Sequence, residues 1–206
     1  MSVVSHLQTS RRQRLAIFAL LPLLLAACNT PVDQRSFPDL SFTGQPPIRL
    51  NVATIDITQS YLPSKTDPHV DHLFPEPPAK AAAQWAHDRL QAAGQSGSLV
   101  YDVVDASAID TKLPRSSGLT ALTSVDQTDQ FDLTMTVKVI AVSGDNLHRG
   151  SAEATVKRSQ TISEKTTPAE RDGVWYDMTQ QAMDEINAKL ESQIDQNLAW
   201  FKQTPN

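Results

Sequence analysis

A pair of strands joined by a tight turn is predicted by residues 131–161, which read FDLTMTVKVIAVSGDNLHRGSAEATVKRSQT. In the first half, apolar residues alternate with polar ones from Phe131 to Val139, the period expected of a strand with one buried face. The turn residues SGDN follow at 143–146. The second half alternates small apolar residues with polar ones, so residues 149–161 are predicted to return as an antiparallel strand. Large side chains beside small ones leave room for a helix to pack on this hairpin.

Two helices and two further strands are predicted around the hairpin. Residues 78–93 begin with proline and precede Gly94, the usual punctuation of a helix. The run TPAE at 167–170 is a capping box, and it opens a helix of about 30 residues with an apolar stripe. Residues 48–58 and 99–109 are predicted strands. The order β-α-β-β-β-α therefore predicts an α+β fold, a four-stranded, largely antiparallel sheet with two helices on one face.

Both of these flanking strands change phase along their length. In residues 48–58 the apolar positions are even up to Val52 and odd from Ile55, and a comparable slip occurs between Val103 and Val104. Because side chains alternate strictly between faces in a regular strand, a phase change predicts a bulge or a strand buried in part on both faces.

The N-terminus has the organisation of a secretory signal peptide. Residues 1–27 contain three arginines and no acidic residue, and residues 15–27 form an uncharged run that ends in small side chains. At about 1.5 Å per residue this run is roughly 20 Å long, too short to span a bilayer core of about 30 Å. The run ends in Leu25-Ala26-Ala27-Cys28.

The sequence Leu25-Ala26-Ala27-Cys28 resembles the lipobox of bacterial lipoproteins. This resemblance implies lipid attachment to the thiol of Cys28, cleavage before it, and acylation (palmitate among the acyl groups) of the new amino group. Several acyl chains hold a protein firmly at a membrane that it does not span. Asn29 is not the aspartate linked to inner-membrane retention, so the periplasmic face of the outer membrane is favoured over the inner membrane.

Three regions are predicted from this organisation. Residues 1–27 are the signal peptide, residues 28–47 are the lipidated cysteine and a proline-rich tether, and residues 48–206 are a single periplasmic α+β domain. The tether contains Phe37, Leu40 and Phe42, which could also pack back onto the domain. Both alternatives are open from the sequence.

The composition excludes several classes of function. From residue 28 onwards, 15 Lys and Arg face 23 Asp and Glu, a net charge of −8 that argues against a general nucleic-acid binder. A single cysteine excludes an intramolecular disulfide and a Cys-rich zinc site. The sequence has no G-x-S-x-G, no phosphate-binding loop and no H-E-x-x-H. We therefore predict no catalytic residues and no cofactor.

A weak candidate for metal binding lies in the loop before the first helix. Four possible ligands fall within six residues there: Asp67, His69, Asp71 and His72. The simpler interpretation is a solvated loop in which His72 and Phe74 pack under the helix. No metal is predicted, and a periplasmic metal-dependent enzyme is the least favoured alternative.

Two places are candidates for contact with a partner. The connection at residues 113–127 is long for a small sheet and has an apolar middle that includes Leu119 and Leu122. The last helix is longer than the sheet it covers, so Trp200 and Phe201 are expected to overhang. The alternative for both places is packing within the chain.

The element order behind a lipobox resembles the small envelope lipoproteins that assist transport machines, such as the lipoprotein of the lipopolysaccharide translocon and the auxiliary lipoproteins of ABC-type transporters. The resemblance covers residues 48–201 by element order alone, and no functional residue is carried over. It implies a non-catalytic interaction or accessory module in envelope assembly or lipid transport, with another envelope protein as partner. A lipoprotein that binds a small apolar ligand between helices and sheet is the alternative.

Overall fold

The structure is a computed structural model that describes residues 36–114 and 125–203. The described elements follow the chain as β1 (Ile48–Leu50), β2 (Thr54–Gln59), α1 (Pro78–Arg89), β3 (Leu90–Ala92), β4 (Ser98–Lys112), β5 (Gln127–Val142), β6 (Arg149–Ser163) and α2 (Pro168–Asn197). Two single-turn 3-10 helices lie at Asp71–Leu73 and Ala199–Phe201.

The predicted fold class is confirmed. The main sheet has the order β2-β4-β5-β6, in which β2 runs parallel to β4 and the other neighbours are antiparallel. Two parallel neighbouring strands must be joined by a crossover connection, and helix α1 lies in the connection between β2 and β4. A separate two-stranded parallel sheet pairs β1 with β3.

The β5–β6 hairpin has the register that the sequence predicts. Val137 pairs with Ala154, and Val139 pairs with Ala152. These side chains are all buried, whereas those of the opposite parity on β6 are exposed. The small residues of β6 let α2 approach the sheet closely.

The core lies between the sheet and the two helices. Helix α1 contributes Trp85, which is fully buried and stacks on Tyr101 of β4 with ring centroids 5.8 Å apart. Helix α2 contributes Trp175, which stacks on Phe74 at 5.0 Å and meets Phe131 of β5 edge-on at 5.2 Å. Large aromatic side chains thus fill the space between the layers.

The phase changes have two different causes. In β4 the register shifts between Val103 and Asp105, so the predicted bulge is confirmed, with Val104 as the extra residue. The other predicted strand, residues 48–58, is instead two strands. β1 and β2 belong to different sheets, so the break at residues 51–53 explains the change from even to odd apolar positions.

The first helix is shorter than predicted. It ends at Arg89, and Leu90 to Ala92 form strand β3 beside β1 instead of a last helical turn. Gly94 is required by close approach rather than by a helix end. A Cβ at this position would lie 2.6 Å from the backbone of Asn51 and Val52, while its N–H donates to the Val52 carbonyl at 3.0 Å.

The segment before β1 packs on the two helices, which decides between the alternatives left open for it. Phe37 lies against Tyr176 of α2 with ring centroids 5.2 Å apart, and Leu40 is only 9% exposed. The N–H of Phe42 donates to Asp88 Oδ2 of α1 at 2.7 Å. Lys80 pairs with Asp39 and holds the pKa of that carboxyl below its ordinary value.

Candidate functional site

The segment that contains Asp67, His69, Asp71 and His72 lies beside strand β4 and is joined to it by backbone hydrogen bonds. The N–H of Val70 donates to the carbonyl of Ala108 at 2.9 Å, and the N–H of Asp110 donates to that of Pro68 at 2.9 Å. This segment therefore covers the part of β4 that lies beyond β2. Within the described residues, no group of three or more His, Cys, Asp and Glu is arranged to hold a metal ion.

The most buried member of that segment is Asp71, which is 3% exposed. Its Oδ1 has no hydrogen-bond partner of ordinary geometry among the described residues. Burial is the main cause that raises the pKa of Tyr61, and the charge of Asp71 adds to it. Phe74, three residues on, joins the core as expected.

The two parallel helices are joined by buried polar contacts. Trp85 Nε1 donates to Asn187 Oδ1 at 2.7 Å, and Thr179 Oγ1 donates to the carbonyl of Glu76 at 3.1 Å. Arg89 is 2% exposed and forms an ion pair with Glu191. Burial lowers the pKa of Arg89. These contacts fix how α1 and α2 lie against each other on the sheet.

The two aromatic candidates at the C-terminal end have opposite environments. Trp200 is 52% exposed and stacks on His148 of the β5–β6 turn, with ring centroids 4.0 Å apart. Leu147, next to His148, is 80% exposed. We call Leu147, His148 and Trp200 the hairpin-end surface. It is an exposed apolar surface at one end of the sheet.

Phe201 does not overhang, so the prediction that it faces a partner is wrong. It is 2% exposed, because the 3-10 helix Ala199–Phe201 turns the chain back towards β1. There the carbonyl of Phe201 accepts from Asn51 N, and Lys202 pairs with Leu50. The tertiary fold therefore provides the core for Phe201 that the helix alone lacks.

The remaining site residues lie outside the described residues. They are Cys28, Leu119 and Leu122. None of the described helices is long and apolar enough to cross a membrane.

Sequence reasoning did not identify the free edge of β2 as a candidate site. A groove of about 820 Å³ follows this edge and is lined by Ile55, Asp56 and Ile57 together with Ala86 and Leu90. The alternation of Ile55 and Ile57 with polar residues signals a half-buried strand. Only the strand order shows that this strand lies at an edge.

The comparisons with known proteins place this chain beside three solved structures at low similarity. No family model matches the chain, and no curated protein matches it significantly. Rare lipoprotein B from Shewanella oneidensis aligns at 12% identity and a TM-score of 0.36, covering 68% of this chain and 94% of that one. A minor lipoprotein from Acinetobacter baumannii aligns at 14% identity and a TM-score of 0.34, covering 76% of this chain and 99% of that one.

The third structure is a Xanthomonas campestris protein of the family DUF330, at 11% identity and a TM-score of 0.31, covering 75% of this chain and 95% of that one. Two of the three are thus named as lipoproteins. At these identities and TM-scores the likeness carries no residue's role into this chain.

Proposed function

We propose that this protein is a bacterial lipoprotein, anchored through lipid on Cys28 and facing the periplasm, that serves as a non-catalytic accessory module and binds another envelope protein. The anchor is supported by the Leu25-Ala26-Ala27-Cys28 motif behind a short apolar run. The accessory role is supported by exposed apolar side chains, above all Trp200 and Leu147 of the hairpin-end surface. Leu119 and Leu122 remain partner-facing candidates.

The packed segment before β1 is the observation that carries this proposal. Because residues 37–42 contact α1 and α2, at most residues 28–35 separate the proposed lipid on Cys28 from the packed part of the chain. Eight residues reach at most about 28 Å when fully extended. A lipid on Cys28 therefore holds the α+β domain close to the membrane surface, where an accessory protein meets a membrane-bound partner.

The anchor is tested by Cys28→Ala in the full-length protein expressed in its own cells. We expect the variant to move from the membrane to the soluble periplasmic fraction, or to remain unprocessed, because the acylated thiol is lost. Fractionation and intact mass measure both outcomes, and Ser36→Ala serves as the matched control. Normal processing with membrane retention of Cys28→Ala contradicts the anchor.

The choice of membrane is tested separately by Asn29→Asp. We favour the outer membrane because Asn29 is not the residue associated with retention. On density-gradient separation, the unchanged protein is expected with the outer membrane and the variant with the inner membrane. An unchanged protein in the inner-membrane fraction contradicts this assignment and leaves the anchor itself intact.

A further inference from the structure

The two edges of the main sheet differ in how they are protected. Along β6, Lys189 of α2 donates to the carbonyl of Thr155 at 2.9 Å and so occupies an edge acceptor. Arg158 of β6 pairs with Glu185 of α2 at 2.9 Å. Helix α2 also crosses close to the start of β6, where a Cβ on Gly150 would lie 2.7 Å from the carbonyl of Asn197. Lysine side chains and covering helices are ways of preventing an edge strand from pairing with another chain.

Strand β2 at the other edge lacks this protection within the described residues. It pairs with β4 on one side only, and its six residues contain no lysine or arginine. In a parallel pair, alternate residues direct both their N–H and their C=O away from the partner strand. β2 therefore presents a row of unpaired backbone groups that a further strand can use.

The groove along β2 is suited to the side chains of an added strand. Ile55 and Ile57 are half-buried on the helix side of β2, and Ala86 and Leu90 form the opposite apolar wall. An extended segment beside β2 would place alternate side chains between these two walls. Burial of apolar area there would stabilise the added strand by about 25 cal/mol per Å².

The charge on this edge selects the kind of segment that fits. Asp56 is exposed at the middle of β2 and makes no hydrogen bond or ion pair with any described residue. The exposed His87 of α1 is the one basic side chain among the residues that line the groove, and it makes no ion pair with Asp56. Opposite charges on neighbouring strands stabilise their pairing, and like charges destabilise it. The unpartnered carboxylate therefore favours a strand with a basic residue beside it.

A second copy of this chain fits the edge poorly. If two copies of β2 paired antiparallel in the register centred on Asp56, the two Asp56 side chains would lie opposite each other, and like charges in that position are destabilising. The net charge of −8 from residue 28 onwards adds repulsion between copies.

We propose that the free edge of β2 accepts, by strand addition, an extended segment of another protein in which a Lys or Arg beside Asp56 alternates with apolar residues that enter the groove. This names the chemistry of the partner in the accessory role proposed above. It rests on that role but not on the lipid anchor, which Cys28→Ala tests independently. Backbone pairing supplies the affinity, and the groove and Asp56 supply the specificity.

The test is site-specific photo-cross-linking of the full-length protein in its own cells. The photoreactive amino acid p-benzoylphenylalanine replaces Thr54 at the edge of β2 or, as a matched control, Ser159 at the edge of β6. Both positions are exposed. We expect an adduct from position 54 and none from position 159, and mass spectrometry should map it to a peptide of another protein in which Lys or Arg alternates with apolar residues.

Charge reversal provides the second arm of the same experiment. Asp56→Lys should reduce the adduct from position 54 about tenfold, because attraction becomes repulsion. Asp56→Asn should reduce it less, and Glu153→Lys on the exposed face of β6 should leave it unchanged. Equal thermal midpoints for all three variants show that folding is intact. If Asp56→Lys does not fold, the test rests on Asp56→Asn, which must reduce the amount of adduct from position 54 for the proposal to stand.

Four results would overturn the proposal. They are the absence of an adduct from position 54, an adduct with a second copy of this chain, an adduct with an acidic peptide, and an adduct that Asp56→Lys and Asp56→Asn do not weaken.

Discussion

Neighbouring side chains at positions 200 and 201 show how the environment of one residue is decided. Trp200 is 52% exposed and Phe201 only 2%, although both end the same apolar stripe in the sequence. The 3-10 turn at Ala199–Phe201 rotates the two side chains apart, and the pairing of Lys202 with Leu50 holds Phe201 inside. Trp200 keeps the exposure expected of a contact residue, whereas Phe201 is part of the core.

This difference predicts unequal losses of stability when each of the two residues is truncated to alanine. Phe201→Ala should lower the free energy of unfolding by about 3–5 kcal/mol, since it leaves a cavity in the core. Trp200→Ala should cost about 1 kcal/mol or less, the loss of one exposed stacking contact with His148. Urea unfolding of the purified full-length variants measures both. Equal losses for the two variants would contradict the assignment of one residue to the core and the other to the surface.

Among the elements, α2 has the clearest sequence signal for where it begins. Thr167 Oγ1 accepts from the N–H of Glu170 at 3.3 Å, and the carboxylate of Glu170 accepts from the N–H of Thr167 at 2.8 Å. Both contacts join residues three apart, so the TPAE motif alone predicts them. Helix α1 lacks such a cap, since Pro77 has no side chain to accept a hydrogen bond.

The capping box should contribute measurably to stability. Thr167→Ala should lower the free energy of unfolding by about 1 kcal/mol, because the N–H of Glu170 loses its acceptor. Thr167→Ser keeps the hydroxyl and should cost less than half as much. Thermal unfolding followed by circular dichroism compares the two. If alanine and serine are equally destabilising, the hydroxyl does not act as a cap.

At the scale of the whole domain, the described residues are held together by an apolar core and by the polar contacts between helices, and no set of metal ligands is gathered among them. The backbone of the loop with Asp67 and His69 pairs with β4, which separates the possible ligands along an edge. A core of this size is sufficient for a stable fold.

Metal removal should therefore leave the fold unchanged. We expect the full-length protein in detergent to have the same thermal midpoint before and after dialysis against EDTA. Adding Zn²⁺ back should likewise not raise the thermal midpoint. A fall of about 4 °C or more after EDTA, reversed by Zn²⁺, corresponds to about 1 kcal/mol or more at this size. That result would contradict this prediction and make Asp67, His69, Asp71 and His72 the first ligands to test by substitution.

The sequence by itself determined the features that depend on neighbours close along the chain. The alternation from Phe131 to Val139 determined the central strand and its buried face, and the TPAE motif determined the start of α2. The phase slip after Val103 indicated an irregularity at that position, which the structure shows to be a bulge. In each case, side-chain periodicity or a hydrogen bond between residues three apart is a local property that the sequence shows directly.

Only the tertiary structure decided the features that depend on distant partners. The split of residues 48–58 into two sheets, the end of α1 at Arg89 and the burial of Phe201 all result from pairing around β1. The exposed edge of β2, like the covered edge of β6, follows from strand order. No local pattern encodes these outcomes, because the free energy of each lies in contacts between segments far apart in the chain.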